Sequence, residues 1–222
     1  MTEMTPRILP LPKEEWTDDA RAVFAYWGEP DGWEKGSASN LVMVQAHHPK
    51  LAMAYNVFGK HLLLDSTLPV RPRELVVLRT SWHQKADYEW HYHVGYALKI
   101  GMTLEEIAAV KEGPDAGNWN EQDRAVLTAV DELVKKNAIS DTTWANLSQH
   151  FDKRQIMDLV FTIGNYMMLS WTIAAFGVQL EDHVDKIGFD LKTETGATPA
   201  TGERPGESKD WAANNAAKGK KV

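Results

Sequence analysis

The sequence has no cysteine in its 222 residues. That excludes disulfides, thiolate nucleophiles, cysteine-held zinc and thiol-based peroxide reduction. Positive charge is also scarce: 24 Lys and Arg face 31 Asp and Glu, for a net charge of −7. General affinity for nucleic acid or anionic membranes is therefore not expected. The N-terminal residues hold no apolar run suited to a secretory signal. No stretch reads as the roughly 20 apolar residues of a spanning helix. These absences fit a cytoplasmic protein. There is no internal repeat and no strand-like alternation. Short runs such as Val76-Val77-Leu78 sit inside a 3.6-residue period.

What is present is a substantial core. Hydrophobic residues make up 43% of the chain, and nine are tryptophan. At ~100–200 residues per domain, the length suits one domain with an added arm. Tryptophans serve as core and interface anchors, and can also line a pocket for a flat ligand.

Helix signals recur along the chain. Residues 1–14 hold several prolines and read as an extended arm. Thr17 or Asp18 caps a helix reaching Trp27, and a Gly- and Pro-rich loop follows to Gly36. Helices are expected over Asn40–Ala46 and Pro49–Leu64, separated at His48-Pro49. Pro72 suits the first turn of the next helix, and Asp87 opens another that stops before Gly101. Thr103 and Glu106 have capping-box spacing. Glu121–Lys136 and Asp141–Phe151 follow, then a long apolar helix from Arg154 to Phe176, closed by Gly177. Residues 191–222 are polar and rich in Gly, Pro, Thr and Lys, with Trp211 as their one clear anchor. They read as a tail, disordered or laid over a neighbouring subunit.

The chemistry concentrates between Pro72 and Gly101. On a helical wheel Ala86, Glu89, Trp90, His93 and Ala97 share a face, while Tyr88, His91 and Tyr92 turn elsewhere. Glu89 and His93 are one turn apart. A carboxylate beside an imidazole favours its charged form, which suits a proton donor or acceptor near neutral pH. Glu74 lies on the preceding helix and can instead be a buried partner of Arg71 or Arg73. His83 and His91 read as structural or exposed. No G-x-S-x-G elbow supports a Ser/His/Asp nucleophile. Glu89 and His93 with His83 or His91 offer a mixed metal site of no familiar spacing.

This stretch resembles the core motif of the carboxymuconolactone decarboxylase and alkylhydroperoxidase D-like superfamily. There an Arg-Glu helix start is followed by Cys-x-x-Cys-x-x-x-His. Counted from Glu74, the cysteine positions fall on Ala86 and Glu89, and the histidine falls on His93. The run from Ile156 to Ser170, with Phe176-Gly177-Val178, is similar to the family's C-terminal helix. Asn165 stands where that helix often carries a histidine.

The resemblance implies an all-α, single-domain helical bundle of about eight helices over residues 15–190. It also implies a homo-oligomer, a trimer or hexamer, with sites near subunit contacts. Position for position, it assigns a proton relay to Glu74 and His93, with Glu89 in place of a thiol. Tyr88, Trp82, Trp90, Asn165 and Tyr166 are the expected substrate-binding residues, and Tyr88, Trp82 or Asn165 would donate to an oxyanion. The implied activity is a cofactor-free lyase acting on a lactone acid or aromatic-derived small molecule. A non-catalytic ligand-binding or scaffold protein of the same fold is the alternative, as is a metal-dependent enzyme using Glu89 and His93.

Overall fold

The computed structural model describes residues 5–27, 31–117, 119–197 and 199. Ten α-helices account for nearly all regular structure among them: α1 (Asp18–Tyr26), α2 (Gly32–Lys35), α3 (Asn40–Gln45), α4 (Pro49–Lys60), α5 (Val70–Gln84), α6 (Asp87–Lys99), α7 (Leu104–Glu112), α8 (Glu121–Lys136), α9 (Asp141–Ser148) and α10 (Lys153–Phe176). The fold is all-α, as expected. Short α2 lies where only a loop was foreseen.

The caps follow the local sequence. Thr17, Ser39, Asn120 and Ser140 each accept a backbone N–H of the first turn they precede. Thr103 with Glu106, and Asp152 with Gln155, form complete capping boxes. Each satisfies donors that a helix start leaves without partners. His48 caps α4 through Nδ1, with Pro49 at the first helical position.

Helix α5 is the centre of the bundle. Every residue from Pro72 to Ser81 is buried, and the helix packs against α6, α8 and α10. Its charges are tied down on both sides. Arg71 reaches Glu106 and Asp123 at 2.6 and 2.9 Å. Arg79 grips Asp131 through two nitrogens and donates to the carbonyls of Val110 and Lys111 at the end of α7. His83 meets the same Asp131 at 2.7 Å, which places it in a structural ion-pair network. Lys85 ends α5 in a left-handed conformation, φ 54°, and the chain re-enters a helix at once. This sharp reversal lays α6 alongside α5.

Two expectations need correction. The helix from Pro49 does not run to Leu64 as α-helix: it ends at Lys60, and His61–Asp65 form a wide π-turn. Within this turn the Leu63 carbonyl accepts from Arg73 Nη1. Also, α10 is long and apolar enough, by length and composition, to cross a bilayer. It is nonetheless built into the core: Ile156, Leu159 and Ile163 pack among the α5–α8 side chains.

Beyond α10 the chain crosses the top of α6. Glu181 is buried, accepting from Tyr88 Oη, Tyr92 Oη and the Asn40 backbone N–H at 2.7, 2.6 and 2.6 Å. Ile187 enters the core, and its bridge to Thr193 folds the following segment back. Trp211 and most of the expected tail lie outside the described residues.

Candidate active site

The buried ion chain on α5 and α6 begins with Arg73, only 2% exposed. Its guanidinium donates to Glu74 Oε1 through Nε and Nη2, at 3.2 and 3.0 Å. The other Glu74 oxygen, Oε2, lies 2.6 Å from His93 Nδ1. Burial, the strongest influence on Glu74, pushes its carboxyl up. The charges of His93 and Arg73 more than offset that and hold it below the usual carboxylate range. An ionised carboxylate only accepts, so His93 Nδ1 carries the proton and donates it. In the neutral ring Nε2 is then the basic nitrogen.

The imidazole is also held by ring contacts. Tyr166 stands perpendicular to it at 5.0 Å and Tyr96 lies at 5.2 Å. Glu89 Oε2 is 3.8 Å from His93 Nε2. The histidine thus sits between two carboxylates, bonded to one and near the other.

A cavity of about 280 Å³ opens onto this group. Glu89 and His93 line it, and Glu74 does not. Glu74 is fully buried behind the imidazole, so it positions His93 rather than touching a ligand. Tyr88, Tyr92 and Tyr96 line the cavity from α6, Tyr55 and Leu63 from α4 and the π-turn, Asn165 and Tyr166 from α10. Asn165 hydrogen-bonds the Tyr55 hydroxyl. Burial and the Glu89 charge push Tyr55 and Tyr166 above the ordinary phenol range, so both stay neutral donors. Two buried cavity atoms have no hydrogen-bond partner: Asn165 Oδ1 and Trp27 Nε1. Among the described residues, no group of three His, Asp or Glu is arranged to hold a metal ion.

The structure divides the expected substrate-binding residues. Tyr88, Asn165 and Tyr166 line the cavity. The Tyr88 hydroxyl, however, is engaged by Glu181, so its ring rather than its O–H faces a ligand. Trp82 and Trp90 do not line the cavity. Trp90 is fully buried in the core and donates to the Gly188 carbonyl. Trp82 packs edge-on against Phe189 with the Lys85 ammonium 3.7 Å over its ring. The wheel had placed Trp90 with Glu89 and His93 and turned Tyr92 away. Helix α6 is buried on two sides, and the boundary between core and cavity runs between positions 89 and 90. Tyr55, Tyr92 and Tyr96 were missed as cavity residues. The spacing of Tyr88, Tyr92 and Tyr96, one turn apart each time, was the available signal.

Residues 49–132, from α4 to α8, match the carboxymuconolactone decarboxylase family. That span contains Glu74, Glu89 and His93. Over that span the chain is similar to the carboxymuconolactone decarboxylase family. Solved structures share its fold. A peroxidase-related protein from Silicibacter sp. TM1040 superposes with a TM-score of 0.68 at 18% identity, over 85% of this chain and 98% of its own. The debrominase Bmp8 gives 0.64 at 17%, over 81% and 94%. Another peroxidase-related protein, from Ralstonia eutropha JMP134 and described as an alkylhydroperoxidase AhpD core, gives 0.62 at 20%, over 79% and 93%. No curated protein is similar enough in sequence to count as a match. Against the motif that this stretch resembles, the chain carries Ala86 and Glu89 at the two cysteine positions.

Proposed function

We propose that the protein is a cofactor-free enzyme in which His93 moves a proton to or from a small unsaturated molecule, aromatic or derived from an aromatic ring. The observation that carries this reading is the Glu74–His93 contact. It favours one tautomer of the imidazole, with Nε2 left as the basic nitrogen beside an aromatic-lined cavity. Neutral Nε2 takes a proton from carbon or oxygen; once protonated, it returns the proton elsewhere on the same molecule. Neutral Tyr55 and Tyr166 hydroxyls supply donors for the oxygen on which charge develops. Isomerisation and loss of CO2 both fit this equipment, since each ends with reprotonation of a carbanion or enolate.

The lactone acid suggested by the family's name fits less well. No lysine or arginine lines the cavity among the described residues, so nothing there holds a carboxylate that the product retains. Debromination, the activity named for Bmp8, is a weaker reading, because the two chains are only 17% identical.

The reading includes self-association. Met157, Phe161, Met168 and Trp171 form an exposed apolar stripe along α10, and Leu51 and Val57 are exposed on α4. A second copy of the chain is the proposed cover.

The test is a screen of small unsaturated ketones, lactones and phenols in deuterated water. Enzyme-dependent incorporation of deuterium at carbon, read by NMR, is expected for at least one class. A broad screen with no incorporation above the protein-free rate counts against the reading.

A further inference from the structure

Asn165 and Tyr55 line the same cavity, one from α10 and the other from α4. Asn165 is only 4% exposed. Its amide has two ends with opposite roles, an N–H donor and a carbonyl acceptor. The contact with Tyr55 tells which end is which. Burial is the strongest influence on the Tyr55 phenol and pushes it up. The Asn165 contact acts the other way, and only donation to the phenol oxygen does that. Nδ2 is therefore turned to Tyr55. Asn165 Oδ1 is left buried, with no hydrogen-bond partner among the described residues.

The two residues so present an adjoining acceptor and donor. Tyr55 keeps its own O–H, because its oxygen is the acceptor in the contact with Asn165. A buried amide oxygen costs free energy unless a donor reaches it. A ligand that drives water from the cavity either supplies that donor or leaves the oxygen bare. Sites built this way reject analogues that lack the matching O–H or N–H far more strongly than apolar pockets reject a missing methyl. A ketone, lactone or ether oxygen offers lone pairs only, so it satisfies Tyr55 and not Asn165. A hydroxyl offers a donor and an acceptor on one atom and satisfies both.

We infer that the cavity selects a flat molecule with a hydroxyl on an unsaturated carbon, a phenol or an enol, whose O–H donates to Asn165 Oδ1 while its oxygen accepts from Tyr55. This rests on the site proposed above and narrows its substrate class. Asn165 is then an acceptor towards the ligand, where donation to an oxyanion was expected. Tyr88 and Tyr166 supply ring surface around the flat body. The volume of about 280 Å³ is near the ~300 Å³ lower end of small-molecule sites. One ring with small substituents is therefore the right scale.

The experiment is calorimetric titration of the full chain, at neutral pH, with three probes of similar shape: p-cresol, p-xylene and p-tolualdehyde. The methyl of p-xylene matches the hydroxyl in size and is more apolar, so an unselective apolar cavity would prefer it. The aldehyde keeps an acceptor without a donor. The phenol should bind about tenfold or more tighter than either. Asn165→Leu should bring the phenol within about twofold of the aldehyde, since both then only accept from Tyr55. The wild-type series is decisive without the variant, so an Asn165→Leu protein that misfolds leaves the test intact. The inference is overturned if p-xylene or the aldehyde binds as well as the phenol, if none of the probes binds at millimolar concentration, or if folded Asn165→Leu keeps the full preference for the phenol. Binding is read without turnover. A preference for the phenol with no deuterium incorporation in the screen therefore sinks the proposed reaction alone. Deuterium incorporation together with equal binding of p-cresol and p-xylene sinks this inference alone.

Discussion

Glu74 Oε2 and His93 Nδ1 meet at 2.6 Å in the fully buried crossing of α5 and α6. The carboxylate lies on the protein side of the ring, and the cavity lies on the other. This contact decides which nitrogen of His93 faces a ligand. Arg73 holds the carboxylate from behind, and the π-turn carbonyl of Leu63 holds Arg73.

The neutral imidazole of His93 should therefore carry its proton on Nδ1. Nitrogen-15 NMR of histidine-labelled protein reads the tautomer directly. In Glu74→Gln the preference should weaken. A wild-type His93 that is protonated on Nε2 alone would remove the geometric basis of the proposed chemistry.

Glu74→Gln should also cost stability. It leaves the Arg73 guanidinium buried without its counter-charge. Breaking such a buried pair costs about 3–5 kcal/mol, which lowers the melting temperature by on the order of 10 °C for a chain of this size. Glu74→Gln combined with Arg73→Met should recover part of that loss if the unpaired charge is its cause.

Acid should destabilise the protein through three buried or half-buried carboxylates. Glu74 and Asp158 are held below their ordinary values despite burial, which pushes both up: Glu74 by the charges of His93 and Arg73, Asp158 by hydrogen bonds from Thr67, His61 and Ser66. Asp131 is held far down, against burial, by hydrogen bonds from His83, Arg79 and Lys135. A depressed folded-state pKa gives stability that is present above the unfolded pKa, about 4, and is lost as pH falls through the folded value. Asp158→Asn should cost about 1.5–3 kcal/mol at neutral pH, the scale of hydrogen bonds to a charged group. The gap between variant and wild type in denaturant melts should close as pH drops below about 4. A gap that stays constant down to pH 2 contradicts this.

The apolar stripe on α10 should hold an assembly together. Light scattering at micromolar concentration should give a multiple of the 25.0 kDa chain mass. Phe161→Lys and Trp171→Lys should shift it towards the single-chain value. A wild-type mass of one chain would contradict the proposed self-association.

Much of the fold was legible because the caps and breaks are local. Thr103 with Glu106, Asp152 with Gln155, and His48-Pro49 each mark a boundary by their own hydrogen bonds or by a missing N–H. The π-turn at His61–Asp65 was not legible. There the Leu63 carbonyl accepts from Arg73, a contact set by tertiary packing. The site split in the same way. Glu74, Glu89 and His93 sit at motif positions, and the fold brings them to one group. The wheel placed Trp90 with them, because periodicity gives faces but not which neighbour covers each face. The role of the Tyr88 hydroxyl depended on Glu181, ninety-three positions away, which no local pattern reveals.

The central claim is that His93 transfers the proton. It is tested most directly by comparing deuterium incorporation in wild type and His93→Gln, on whichever compound the screen selects, with a melting curve for each. Glutamine keeps a hydrogen bond to Glu74 but does not titrate. Incorporation should fall by about 100-fold or more, with the melting temperature changed by only a few degrees, roughly the effect of 1 kcal/mol in a chain this long. Full incorporation by a folded His93→Gln protein would contradict the account.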